Sequence, residues 1–174
     1  MNKMTDLMSN NPVRAHIVGQ RCLQGGVGLI EVLVAVLVLS IAFLGIAALQ
    51  AMSLSTNNSA MARSMATISS YSILDAMRAD FNTAKAGTYN HTGSGSIKAN
   101  ACPAGTGGSL ADAQVSQWCG QLKQALGASA TTTGDINCST VNDNVDCTVT
   151  ITFDDSRAGV GGSSVQSVTT RAML

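Results

Sequence analysis

Between Val27 and Leu49 the only polar side chains are Glu31 and Ser40. A helix rises about 1.5 Å per residue, so ~20 apolar residues cross a bilayer. The run is long enough, and it is hydrophobic all round rather than on one stripe, which argues against a buried helix of a soluble protein. The pattern then changes. Met61, Met65, Ile68, Tyr71, Leu74, Met77 and Phe81 recur at spacings of three and four, a helical stripe. Arg63, Asp75, Arg78 and Asp80 lie largely off it. No proline interrupts the segment, so one helix is predicted from Val27 to about Phe81, some 80 Å long if continuous. Its second half would be amphipathic and packed on a head domain.

Beyond the helix, residues 86–108 are rich in Gly, Ser, Thr and Asn and read as loop. His91 falls there and reads as an exposed loop residue. Leu110 to Leu126 fits a short helix, with Ser109 and Asp112 at capping-box spacing. In "VDCTVTITF", Val145, Cys147, Val149, Ile151 and Phe153 alternate with polar residues as a strand does. "INCSTV" pairs with it through a turn at Asn142-Asp143, which places Val141 opposite Asn144 and Cys138 opposite Cys147. "VTTRAML" alternates again as a last strand. The predicted fold class is α+β, a long N-terminal helix on a small antiparallel sheet. Asp154 and Asp155 at the strand end read as a solvated turn rather than as calcium ligands.

Composition narrows the function. The formal net charge is zero, which leaves no electrostatic footprint for nucleic acid. Charged residues are 11% and aromatics 3% of the chain, so the core is built from small aliphatics and Met. Modest cores outside the cytoplasm are often stapled by disulfides. Lys3, Arg14 and Arg21 precede the apolar run and the next basic residue is Arg63. The positive-inside rule therefore keeps the N-terminus cytoplasmic and exports the chain beyond about Ala51.

A secretory signal has a shorter apolar stretch followed by small residues at the cut. Here Gly25 and Gly26 precede the apolar run, so a cut there would leave the whole hydrophobic segment on the product. "GVGLIEVLVAVLVLSIAFLGIAALQ" resembles the N-terminus of type IV pilins and pseudopilins. With "NNSAMARSMATISSYSILDAMRA" it looks most like minor pilins of the PilV type. The resemblance covers Gly26 to about Phe81. It implies leader-peptidase cleavage between Gly26 and Val27, methylation of the new N-terminus at Val27, and a role for Glu31 in subunit assembly. Val27 stands where the family usually has Phe, and the apolar helix lacks the proline of many major pilins.

The resemblance also supplies a reason for the carboxylate. Cleavage creates an α-amino group at the head of an apolar helix, and pilins of this kind pack their helices into a filament core. There Glu31 of one subunit can meet the N-terminal amine of a neighbour. A buried pair of opposite charge is tolerable while one member alone costs several kcal/mol, so the pair would fix register between subunits.

Processing divides the chain into a leader (1–26), a transmembrane or filament-core helix (27–50), its amphipathic continuation (51–85) and a periplasmic head (86–174). Of the five Cys, Cys22 leaves with the leader. Cys102, Cys119, Cys138 and Cys147 remain, and four cysteines permit three connectivities. Local order suggests Cys102–Cys119 and Cys138–Cys147, and disulfides are favoured over zinc binding because no close CxxC pair exists and the expected compartment is oxidising.

The leading function class is structural: a minor pilin that helps initiate pilus assembly and supports twitching motility and adhesion. Its partners would be other minor pilins, the major pilin, the prepilin peptidase and the inner-membrane assembly platform. The subunit would sit in the inner membrane before assembly and on the cell surface after it. A type II secretion pseudopilin and a monomeric membrane-anchored periplasmic protein are the alternatives. No enzyme is expected, because one His in the mature chain and no Gly-rich phosphate motif leave no catalytic constellation. No cofactor or metal site is expected either.

Overall fold

The computed structural model describes residues 25–159 and 162–174. Residues 1–24, with Cys22 and the three basic residues on which the expected orientation rests, lie outside the described residues. Contacts divide the chain into two compact units, Met1–Ala42 and Phe43–Leu174. The architecture is α+β, as the hydrophobic pattern predicts.

Helix α1 runs Leu29–Ala79. Its hydroxyl side chains do not compete with the backbone for long. Ser40, Thr56, Thr67 and Ser70 each donate to the carbonyl four residues back, at 2.7–3.0 Å, the local bond that lets such residues sit inside a helix. The helix stops at Asp80, whose carboxylate accepts from Thr83 Oγ1 at 2.7 Å and from the Tyr89 hydroxyl at 3.1 Å. A single turn, α2 (Phe81–Lys85), follows.

The head is a meander of four strands in the order β1-β2-β3-β4, each neighbour antiparallel. They are β1 (Ile97–Lys98), β2 (Thr133–Val141), β3 (Asn144–Phe153) and β4 (Gln166–Met173). Helix α3 (Leu110–Leu126) lies between β1 and β2 in sequence. Ser109 accepts from the Asp112 N–H at 3.0 Å. Instead of reaching back to a backbone N–H, the Asp112 carboxylate takes the Ser109 hydroxyl at 2.6 Å. The β2–β3 register places Val141 opposite Asn144 and Cys138 opposite Cys147. Asn142 begins the turn at φ +54°, a left-handed conformation that Asn tolerates better than most residues.

Two segments differ from expectation. The stretch 86–108 is not all loop, because Ile97 and Lys98 pair with Gly134 and Thr133. The amphipathic face of α1 is also rotated. Leu74 and Met77 are buried, but Met61, Ile68 and Tyr71 are more than half exposed. The face turned to the head instead carries Ser59, Ala66, Ser69, Ser70, Ile73, Leu74 and Met77. Small side chains let the helix backbone approach its neighbours closely. Trp118 of α3 uses that closeness, donating from Nε1 to the Ser69 carbonyl at 2.9 Å.

Trp118 also explains a glycine. A Cβ on Gly134 would stand 2.4 Å from Trp118 Cη2 and 3.0 Å from a Leu122 methyl, so only glycine lets the indole lie on β2. One core joins Ile73, Leu74 and Met77 of α1 with Val115, Trp118 and Leu122 of α3. It also takes in Tyr89 and the inward row Val145, Cys147, Val149, Ile151 and Phe153 of β3.

Candidate functional site: the head of the apolar helix

Gly25, Gly26, Val27 and Gly28 precede α1 in an irregular, exposed stretch. No heavy atom stands within 4 Å of where a Cβ would sit on Gly25 or Gly26. The bond between Gly26 and Val27 is therefore exposed among the described residues. The Gly28 carbonyl accepts from the Glu31 N–H at 2.9 Å and the Val32 N–H at 3.3 Å, which makes Gly28 the entry to the helix. Glu31 lies in the first turn, where a carboxylate faces the positive end of the helix dipole.

The residues that follow are apolar and bare. Val32, Leu33, Val34, Val36, Leu37, Val38, Leu39, Ile41, Phe43 and Leu44 are all more than half exposed, and α1 is long and apolar enough to cross a membrane. This supports single-pass anchoring. Of the run's two polar side chains, Ser40 is satisfied inside its own helix by the Val36 carbonyl. The Glu31 carboxylate has no hydrogen bond or ion pair among the described residues. An apolar surface of this size with one unanswered carboxylate needs lipid or protein around it and a cation or donor for the glutamate.

The cysteines are placed in the head. Cys102 is joined to Cys119, with Cα atoms 5.6 Å apart, and Cys138 to Cys147, with Cα atoms 4.0 Å apart. The first ties the loop before α3 to the helix itself. The second crosses β2 and β3 at a non-hydrogen-bonded pair, where backbones come closest.

Two expectations about polar residues need correction. Asp155 is not part of a solvated turn. It is buried, accepts from Ser59 Oγ at 2.5 Å, and stands 3.9 Å from the Arg63 guanidinium. Its role is to fasten the β3–β4 connection to α1. Nor is His91 a free loop residue. It is half-buried and exchanges two backbone hydrogen bonds with Ile136, each 2.9 Å. Its Nδ1–H donates to the Tyr89 carbonyl at 2.9 Å. Among the described residues no group of three or more His, Cys, Asp or Glu could hold a metal ion.

Sequence reasoning also missed the polar cluster under Tyr89. Its hydroxyl reaches Asp80 and Gln114. Burial, helped by the Asp80 carboxylate, pushes the Tyr89 pKa up to about 12. Only the three-dimensional meeting of α1, α3 and the loop brings these groups together.

Comparison with family models, with curated proteins and with solved structures gives no match to this chain. The functional reading therefore rests on the residues and their arrangement.

Proposed function

We propose that this protein is a minor subunit of a type IV pilus, cut between Gly26 and Val27 and anchored by α1 until it enters a filament. The observation that carries the reading is Glu31. It is the unanswered carboxylate of an otherwise apolar helix, one turn from a Gly-Gly sequence whose peptide bonds are accessible. A plain anchor gains nothing from a charge there. A subunit that must find register against a neighbour does, if the neighbour supplies the α-amino group of its own Val27.

The rotated amphipathic face supports the same reading. Leu54, Met61 and Ile68 recur every seventh residue and are exposed. They continue an apolar surface along α1 that the head does not cover. Bundled helices in a filament would cover it. The two disulfides suit a head that works outside the cytoplasm. The test is genetic and biochemical. Deletion should reduce surface pili and twitching, and the subunit should be recovered with sheared pili. Intact piliation together with a loss of protein export would assign it to a secretion system instead.

A further inference from the structure

From Met52 to Ser59 helix α1 reads MSLSTNNS, and six of these eight residues are Ser, Thr or Asn. Their short polar side chains bond the backbone in other conformations, so they rank well below Ala, Leu and Met as helix formers. Ion pairs one turn apart could compensate, but no charged residue stands between Glu31 and Arg63. Packing could compensate as well. Yet Ser53, Leu54, Thr56, Asn57 and Asn58 are exposed, and Ser59 is the first buried residue of α1. Lipid is the last support. About 20 apolar residues fill a bilayer, so a span that starts with α1 at Leu29 ends near Leu49, before this stretch.

Thr67 to Ser72 is almost as rich in hydroxyls, but there Ser69 and Ser70 are buried, and Trp118 Nε1 donates to the Ser69 carbonyl at 2.9 Å. The flanks of the Met52–Asn58 stretch are likewise held helical by other means. On one side, lipid penalises any unpaired backbone group. On the other, the Ser59 hydroxyl is bonded to the buried Asp155 carboxylate at 2.5 Å. A gap between two held flanks closes without a new helix nucleus, so only propagation counts. The propagation constant is ~1–1.6 per residue for good helix formers and roughly threefold smaller for Ser, Thr and Asn. Helix and coil are thus close in free energy between Met52 and Asn58.

We propose that Met52–Asn58 is a joint in α1, which opens locally while the helix on either side of it stays formed. The buried residues of α1 begin at Ser59, so the head keeps its core when the joint opens. The Ser59–Asp155 bond marks where the opening stops. An open joint uncouples the head from the membrane-spanning part of α1, and an anchored head can then meet a partner at more than one tilt. Closing the joint needs only a neighbour that covers the stretch, since packing is the support it lacks. The inference requires an anchor and a head, and does not depend on the filament reading.

The test is backbone hydrogen exchange on the full-length chain in lipid nanodiscs of phosphatidylethanolamine and phosphatidylglycerol. Ser64 and Ile68 provide the comparison, because they are exposed on α1 but backed by the head. After correction for intrinsic rates, the amides of Ser55–Asn58 should exchange roughly tenfold faster than those of Ser64 and Ile68, or more. Thr56, Asn57 and Asn58 are exposed, so replacing all three with Ala leaves the head's core untouched. That variant should slow exchange at Ser55–Asn58 by about 20-fold and leave Ser64 and Ile68 as they were. The proposal is overturned if the two sets of amides exchange alike in the wild-type chain, or if the triple variant exchanges at Ser55–Asn58 as the wild type does.

Discussion

Ser59 on α1 donates its hydroxyl to the buried carboxylate of Asp155, 96 residues later, at 2.5 Å. Around this bond the β3–β4 connection is braced by its own backbone. Asp155 N–H donates to Ser163 O at 2.8 Å, and Ala158 N–H to Asp155 O at 3.0 Å. The Arg63 guanidinium, half exposed, stands 3.9 Å from the carboxylate. Removing the hydroxyl would leave the carboxylate buried with, among the described residues, the distant Arg63 as its side-chain partner. An unsatisfied buried acceptor costs about 1–3 kcal/mol. Ser59→Ala should therefore lower the denaturation midpoint of the detergent-solubilised chain by that order. Adding Asp155→Ala should cost less than the two single changes summed, because the second change removes the orphaned group. Strict additivity in this double-mutant cycle would show that the bond does not hold the loop.

The contact between Gly134 and Trp118 makes a second expectation. The indole leaves no room for a side chain on β2 at this position. Overpacking a core typically costs 1–3 kcal/mol. Gly134→Ala should destabilise the head by about that much and shift Trp118 fluorescence, while Gly120→Ala, where a Cβ meets nothing within 4 Å, should be neutral or mildly stabilising. Equal midpoints for the two variants would contradict the packing described.

Tyr89 gives the head a pH dependence in the alkaline range. Its folded pKa, about 12, lies above the ordinary value of 10.0. The neutral phenol is thus the form that folding favours. The stability it brings is full below pH 10 and is lost as pH rises from there towards 12. In a Tyr71→Phe background, leaving Tyr89 as the one tyrosine, the tyrosinate absorbance should rise with a midpoint near 12. A midpoint near 10 would mean that the phenol is solvated.

The sequence was most readable where the period is short and the partner local. Alternation from Val145 to Phe153 and an Asn-Asp turn are sufficient to set the hairpin register. Ser109 with Asp112 marks the start of α3. The face of α1 that meets the head was misread because hydropathy weighs apolarity and not size. Met61, Ile68 and Tyr71 look like core, yet the head takes Ser59, Ala66, Ser69 and Ser70, whose small volumes admit Trp118. β1 is too short for any period to show. Asp155 resembles a solvated residue until Ser59 is brought to it. At the candidate site, Gly26, Val27 and Glu31 stood out locally because one carboxylate in an apolar run is conspicuous. In the proposed filament the group that answers Glu31 belongs to another subunit, which one chain's pattern does not encode.

Glu31→Ala separates membrane insertion from assembly. The apolar run becomes more hydrophobic, so insertion should be unaffected, and the cut after Gly26 should still occur because Glu31 lies beyond it. A buried amine without its partner costs roughly 3–5 kcal/mol, a factor of a hundred or more in association. The variant should accumulate in the membrane, processed but missing from sheared pili. Normal recovery in the pilus fraction would make Glu31 a tolerated interfacial residue.

A pilin is defined most directly by where its mature chain begins. Mass spectrometry of the protein purified from its native membrane should find an N-terminus at Val27, bearing one methyl group, and no peptide from residues 1–26. Gly26→Trp should leave the leader attached, since the cut needs a small residue before it. A wild-type chain that retains its leader, or one cut beyond Leu49 as a secretory signal would be, would contradict the assignment as a pilin.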